Sequence, residues 1–191
     1  HGTSRRQRQM CIRDRIKYTL AFACSSDGFI AKYSGDNPFE WTSLEDKKHL
    51  DNLIKNHKWQ VMGRKTHELN PNDSRSRIIF SRKYQKIKQI KSSTNQYYFN
   101  PDINQWDEFE SLCKESVLIL GGTSVHDYFL YADLIDEIFI TIEPLKFGKG
   151  LPAFTYINFR DLVPYLNERG YRHSEKKIND KGSLLLNFSK T

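Results

Sequence analysis

At 191 residues, 38% of them hydrophobic and 28% charged, the chain is long enough for one sheet-sized core and short for two, and no apolar run reaches the length of a membrane span. Five arginines against one acid in the first fifteen residues supply +4 of the +7 net charge; the rest shows no basic, aromatic-interleaved pattern, which argues against a nucleic-acid partner. Cys11, Cys24 and Cys113 are odd in number and share no ligand spacing, which argues against a disulfide framework or a zinc site and for a reducing compartment, the cytoplasm by default.

Residues 1–15 have no apolar period and no apolar h-region, and are expected to be a disordered, non-native or leader-like segment ahead of one domain over 16–191. Ile16 to Cys24 is β-branched and aromatic-rich and reads as a buried strand. The loop that follows, to Trp41, exceeds the usual connection length and is a candidate functional loop. Ser43 then opens a helix: Ser43 and Asp46 have capping-box spacing, and Leu50, Leu53 and Ile54 form its apolar stripe. A strand over Trp59 to Met62 leads into a short helix from Arg64. A polar turn at 70–73 precedes a strand over Arg77 to Ser81, and a lysine-rich connection follows it. Next come a strand at Gln96 to Phe99, a helix over Gln105 to Glu115, a strand over Val117 to Leu120 and a helix over Ser124 to Tyr131. Longer strands are expected over Leu134 to Ile142, Tyr171 to Ile178 and Leu184 to Ser189, the last two joined by a hairpin turn at Asp180 to Gly182. Strands alternating with helices imply βαβ units, so the expected class is α/β with a mixed, mostly parallel sheet and a terminal antiparallel hairpin.

Two strands end in glycine and run straight into helices, at Gly63-Arg64-Lys65-Thr66 and at Gly121-Gly122-Thr123-Ser124. Glycine permits close backbone approach, the first-turn N–H groups lack partners, and the helix dipole favours an anion by about 0.3–1 kcal/mol per start. Taken singly, each also reads as a tight turn without a ligand. Two such starts on one cleft suit a diphosphate-bridged dinucleotide. Ser81-Arg82-Lys83 ends the intervening strand, and with Arg64 it suits an adenosine 2′-phosphate, hence NADPH over NADH. Asp46 shares the inward stripe of its helix with Leu50 and Leu53; it reads either as the cap partner of Ser43 or as a functional carboxylate, with burial and the helix dipole pulling its pKa in opposite directions. His49 and His126 read as surface or core histidines.

These blocks resemble the dihydrofolate reductase superfamily from Tyr18 to Gly150: Val61-Met62-Gly63-Arg64-Lys65-Thr66 is similar to its V-M-G-R-K-T, Ile78-Ile79-Phe80-Ser81-Arg82 to its strand ending in serine, and Leu118-Ile119-Leu120-Gly121-Gly122 to its I-I-G-G turn. Within it, Ser26-Asp27-Gly28-Phe29-Ile30-Ala31, Trp41-Thr42-Ser43-Leu44-Glu45-Asp46, Leu134-Ile135-Asp136-Glu137 and the segment Pro144 to Pro152 look more like the riboflavin-biosynthesis reductase domain. Leu120 stands where that domain has glutamate, and His126 where folate enzymes have tyrosine. The resemblance implies an NADPH-dependent reductase acting on a small molecule, resembling 5-amino-6-(5-phosphoribosylamino)uracil reductase. It also implies a homodimer. In that reading Asp46 is the catalytic acid or orienting group, and Asp27, Ser43 and Arg75 bind ribityl hydroxyls and phosphate. For the alternative, dihydrofolate reductase, Asp46 faces a pterin with Thr141 behind it; a non-catalytic nucleotide-binding paralogue is the third reading.

Overall fold

The computed structural model describes residues 15–190. The leader-like segment expected over 1–15, Cys11 included, lies outside them except for Arg15, which pairs with Asp136. One nine-stranded sheet organises the domain. Its inner strand β1 (Tyr18–Ser25) runs parallel to both β7 (Val117–Gly121) and β8 (Glu137–Glu143). Parallel pairing continues outward from β7 to β3 (Trp59–Gly63), β4 (Ser76–Phe80) and β6 (Gln96–Phe99), with a two-residue β5 (Lys88–Gln89) on the far edge. On the other side of β8, the hairpin β10 (Tyr171–Lys177) and β11 (Leu184–Lys190) pairs antiparallel. The mixed, mostly parallel sheet with a terminal hairpin is the architecture expected from the alternating pattern.

The interior strands β1, β3 and β7 are buried on both faces, which is why they read as apolar runs rather than alternations. The edge strand β10 buries only Tyr171, and its charged residues leave it a poor template for further pairing. On one face, α3 (Trp106–Leu112) and α4 (Thr123–Tyr131) set Phe109 and Phe129 against Tyr18 and Phe80. Truncating either phenylalanine to alanine in such a core costs about 3–5 kcal/mol. On the other face, α1 (Leu44–Asn56) seats Leu53 on Ala21 and Leu118.

Several short elements escape the sequence pattern, β5 in the lysine-rich connection among them. The expected long loop contains β2 (Phe29–Ala31), which pairs with β9 (Leu151–Pro152), and a 3-10 turn at Pro38–Glu40. Helix α5 (Leu162–Glu168) follows a second 3-10 turn, and its Pro164 sits in the first turn, where a missing N–H costs nothing. The short helix after Gly63 is α2 (Arg64–Leu69). The helix expected over Gln105 to Glu115 is shorter, Gln105 serving as its cap and Cys113 ending it.

Candidate active site

Because β1, β7, β3 and β4 run parallel, their carboxyl ends share one rim, and a cleft of about 1350 Å³ opens there beneath α1. Both glycine-led starts reach it. Gly63 is the N-cap of α2 and Gly122 that of α4, and neither start has a side-chain cap, so first-turn N–H groups remain available. The two turns abut: a Cβ built on Gly63 would stand 3.9 Å from the Gly122 nitrogen and 3.9 Å from the Gly121 oxygen. Gly121 has φ +98° and is joined to Gly122 by a cis peptide. It is the one cofactor candidate off the cleft wall, with His126 packed behind it.

Arg64, Lys65 and Thr66 line the cleft from α2, and Thr123 and Ser124 from α4. The Thr123 hydroxyl is already committed, donating to the Pro152 oxygen at 2.6 Å. Ser81 and Arg82 reach the same cleft from the end of β4. Arg64 pairs with Glu68 at 2.8 Å and Arg82 with Asp102 at 2.7 Å, both exposed. Such pairs are worth about 0–1 kcal/mol, so neither acid holds its arginine firmly. Lys65 reaches across to Ser34 of the loop before α1 at 2.8 Å.

Asp46 is 8% exposed and faces the cleft. Ser43 caps α1 by accepting from the Asp46 N–H at 3.3 Å, but the reciprocal arm of a capping box comes from elsewhere: Glu143 accepts the Ser43 N–H at 2.7 Å. That substitution leaves the Asp46 carboxylate free of the cap and beside the hydroxyls of Thr141 and Thr42, which favour its charged form. Burial, reinforced by the nearby Glu143 charge, outweighs those hydroxyls and raises the Asp46 pKa, so the opposing influences resolve upward. Thr141 lines the same cleft as Asp46. Arg75 lines the far end of the same cleft.

Asp27 and Ser43 stand elsewhere. The Asp27 carboxylate accepts from the Phe147 N–H at 3.1 Å, the Gly148 N–H at 2.7 Å and the Ser25 hydroxyl, a clamp on the loop after β8. Neither residue lines the cleft. Both side chains are spent on the scaffold, so the geometry gives them positioning work rather than the ribityl contacts expected from the resemblance.

His126 is fully buried, its Nδ1 on the Ala153 oxygen at 2.9 Å and its ring stacked on Phe22 at 4.9 Å. Burial lowers its pKa to about 4, so it is a neutral core histidine. His49 borders the cleft one turn beyond Asp46, edge-on to Phe139. Sequence reasoning missed Gln60 and Arg77, which line the cleft as Arg75 does, with His67 bonded to Arg77 off the cleft wall. The available signal was period-2 alternation along β4, which sets Arg77 and Ser81 on one side, and both line the cleft.

Among the described residues no helix is long and apolar enough to cross a membrane. The family model of the RibD C-terminal domain matches residues 17–178. YyaP of Bacillus subtilis (strain 168), an uncharacterized protein, is 25% identical over 167 residues, covering 80% of this chain and 87% of that protein. Among solved structures, a protein from Shewanella sp. PV-4 assigned to riboflavin biosynthesis superposes with a TM-score of 0.65 at 19% identity, covering 92% of this chain and 99% of that one. The deaminase/5-amino-6-(5-phosphoribosylamino)uracil reductase of Thermotoga maritima gives 0.65 at 19% identity, covering 94% of this chain and 58% of that longer one. Dihydrofolate reductase from Enterococcus faecalis, complexed with NADP(H) and RAB-propyl, gives 0.63 at 16% identity, covering 92% and 96%.

Proposed function

The chain belongs to the RibD C-terminal domain family, on a dihydrofolate reductase-like fold, and from that membership we propose that it is an NADPH-dependent reductase of the riboflavin-biosynthesis type. Its substrate resembles 5-amino-6-(5-phosphoribosylamino)uracil, reduced at the carbon of the ring-opened C=N bond. The observation that carries this reading is one cleft in which two abutting, uncapped, glycine-led helix starts lie within reach of a buried carboxylate.

The residues fit a dinucleotide. First-turn N–H groups of α2 and α4, with Thr66 and Ser124, would hold the diphosphate, while Arg64, Arg82 and Ser81 would hold the 2′-phosphate. When bound, NADPH supplies the hydride. Asp46 orients the acceptor and moves the proton to the nitrogen, directly or through an ordered water; burial raises its pKa and so favours the protonated form that donates. Thr141 and Thr42 set their hydroxyls beside the carboxylate, and Phe22 and Ile30 give the cleft an apolar wall that excludes water. Buried, unpaired Cys24 and Cys113 support a cytoplasmic setting, and the family likeness supports a homodimer.

The Asp46–Thr141 pair also suits a pterin, which makes dihydrofolate reduction the second reading. Steady NADPH oxidation by the purified protein with the phosphoribosylamino-pyrimidine, and not with dihydrofolate, is the expected result. Turnover of dihydrofolate alone selects the second reading. Absence of NADPH-induced quenching of tryptophan fluorescence rejects both.

A further inference from the structure

One buried acid stands outside the reading above. Glu143, the last residue of β8, is 3% exposed and does not line the cleft. It lies two residues beyond Thr141 on the same strand, so both side chains take the sheet face that α1 covers. Both of its oxygens are occupied: one accepts the Ser43 N–H at 2.7 Å, the other the Ser183 hydroxyl at 2.5 Å. Ser183 itself accepts from the Asn179 amide at 2.9 Å, which leaves its own proton for Glu143. The same amide donates to Glu45 at 3.1 Å, in the first turn of α1. The start of α1, which carries Asp46, is thereby tied to the end of β8 and to the turn between β10 and β11.

Two oxygens that both accept are the pattern of an ionised carboxylate. Among the described residues no lysine, arginine or histidine lies within ion-pair distance of Glu143. A buried charge held by hydrogen bonds alone is costly, and a second buried carboxyl beside it adds repulsion. Two carboxyls whose surroundings favour opposite protonation states are a recurrent means of keeping a proton donor. The other groups around Asp46 do not duplicate this charge. Lys47, on its own helix, favours the ionised form. Cys24, on β1 and close to both acids, is kept a neutral thiol by burial. Burial likewise lowers the pKa of His49, a turn further along α1. Glu45 is held by Asn179, with Lys48 and Lys181 near it.

We propose that Glu143 is the positioning residue of this site: it anchors the first turn of α1 through the Ser43 N–H and sets a second negative charge close to the Asp46 carboxyl. The assignment rests on the reductase reading and adds what holds and tunes its proton donor. The two effects are separable, because the anchor needs an acceptor of the right reach and the charge needs an ionised group.

The test follows kcat against pH in the whole protein, with saturating NADPH and the phosphoribosylamino-pyrimidine. Alongside it, the Asp46 carboxyl carbon is titrated by NMR, assigned as the resonance missing from Asp46→Asn. Wild-type kcat should fall as pH rises through the Asp46 pKa, because the donating form is lost. Glu143→Gln keeps an acceptor for Ser43 but removes the charge, so that fall and the Asp46 titration should both move to lower pH. Glu143→Asp keeps the charge but shortens the reach: the fall should stay near its wild-type position while kcat drops about 10- to 100-fold at every pH. A fall and a titration that do not move in Glu143→Gln overturn the proposal. Wild-type kcat in Glu143→Asp overturns it too, and decides the matter should Glu143→Gln not fold. An Asp46 titration that moves to lower pH in Glu143→Gln, in a protein that does not turn over the pyrimidine, upholds the charge contact and rejects the substrate reading instead.

Discussion

Gly121→Ala probes the junction of core and cleft. Gly121 has φ +98°, and a Cβ there would lie 2.5 Å from His126 Nε2. The imidazole has no room to retreat, being fully buried, tied to the Ala153 oxygen at 2.9 Å and stacked on Phe22 at 4.9 Å. Left-handed backbone costs an L-residue about 1–2 kcal/mol and overpacking another 1–3, so the substitution should destabilise by about 2–5 kcal/mol. At about 2–4 °C per kcal/mol for a domain of this size, thermal unfolding should shift down by at least roughly 4 °C. His126→Ala removes the obstructing ring, and in that background Gly121→Ala should cost only its backbone share of about 1–2 kcal/mol, a coupling visible in a double-mutant cycle followed by thermal and urea melts. Equal cost in both backgrounds would refute the steric argument, and an unshifted single variant would refute the turn geometry itself.

Four further outcomes follow from the structure. Asp46→Asn should lower kcat by about 10²–10⁴ while NADPH affinity holds, and equal turnover removes Asp46 from the chemistry. The same variant should melt at or above wild type at neutral pH. A carboxyl whose folded-state pKa is raised destabilises the fold above that pKa, so wild type should close the gap as pH falls through it; a gap independent of pH contradicts the burial argument. Replacing Arg64 and Arg82 together with glutamine should erase the preference for NADPH over NADH, read as the ratio of kcat/KM values, and an unchanged ratio assigns the 2′-phosphate elsewhere. Asp27→Asn should loosen the loop around Phe147 and Gly148, where Phe147 packs edge-on against Trp41 at 5.1 Å, and so alter tryptophan emission without changing cofactor affinity; altered affinity would return Asp27 to the binding surface.

Local signals recovered what local physics builds. Gly63 and Gly121-Gly122 stand out because a strand ending in glycine before a helix has few other uses, and Ser43 because a cap needs only its own first turn. The β2–β9 pair was hidden because its partners are far apart in sequence and each is too short for a period. Asp27 and Ser43 looked like ligand contacts because a motif cannot display the Phe147, Gly148 and Glu143 groups that tertiary structure brings to them. Arg77 was read as the start of a strand because only register reveals that it lies inward beside Gln60.

The most direct test of the account is a structure of the protein crystallised with NADP⁺. The diphosphate should lie against the first-turn N–H groups at Gly63 and Gly122, the 2′-phosphate beside Arg64 and Arg82, and the nicotinamide in the part of the cleft facing Asp46. A dinucleotide bound away from both glycine-led starts, or with its nicotinamide remote from Asp46, would contradict it.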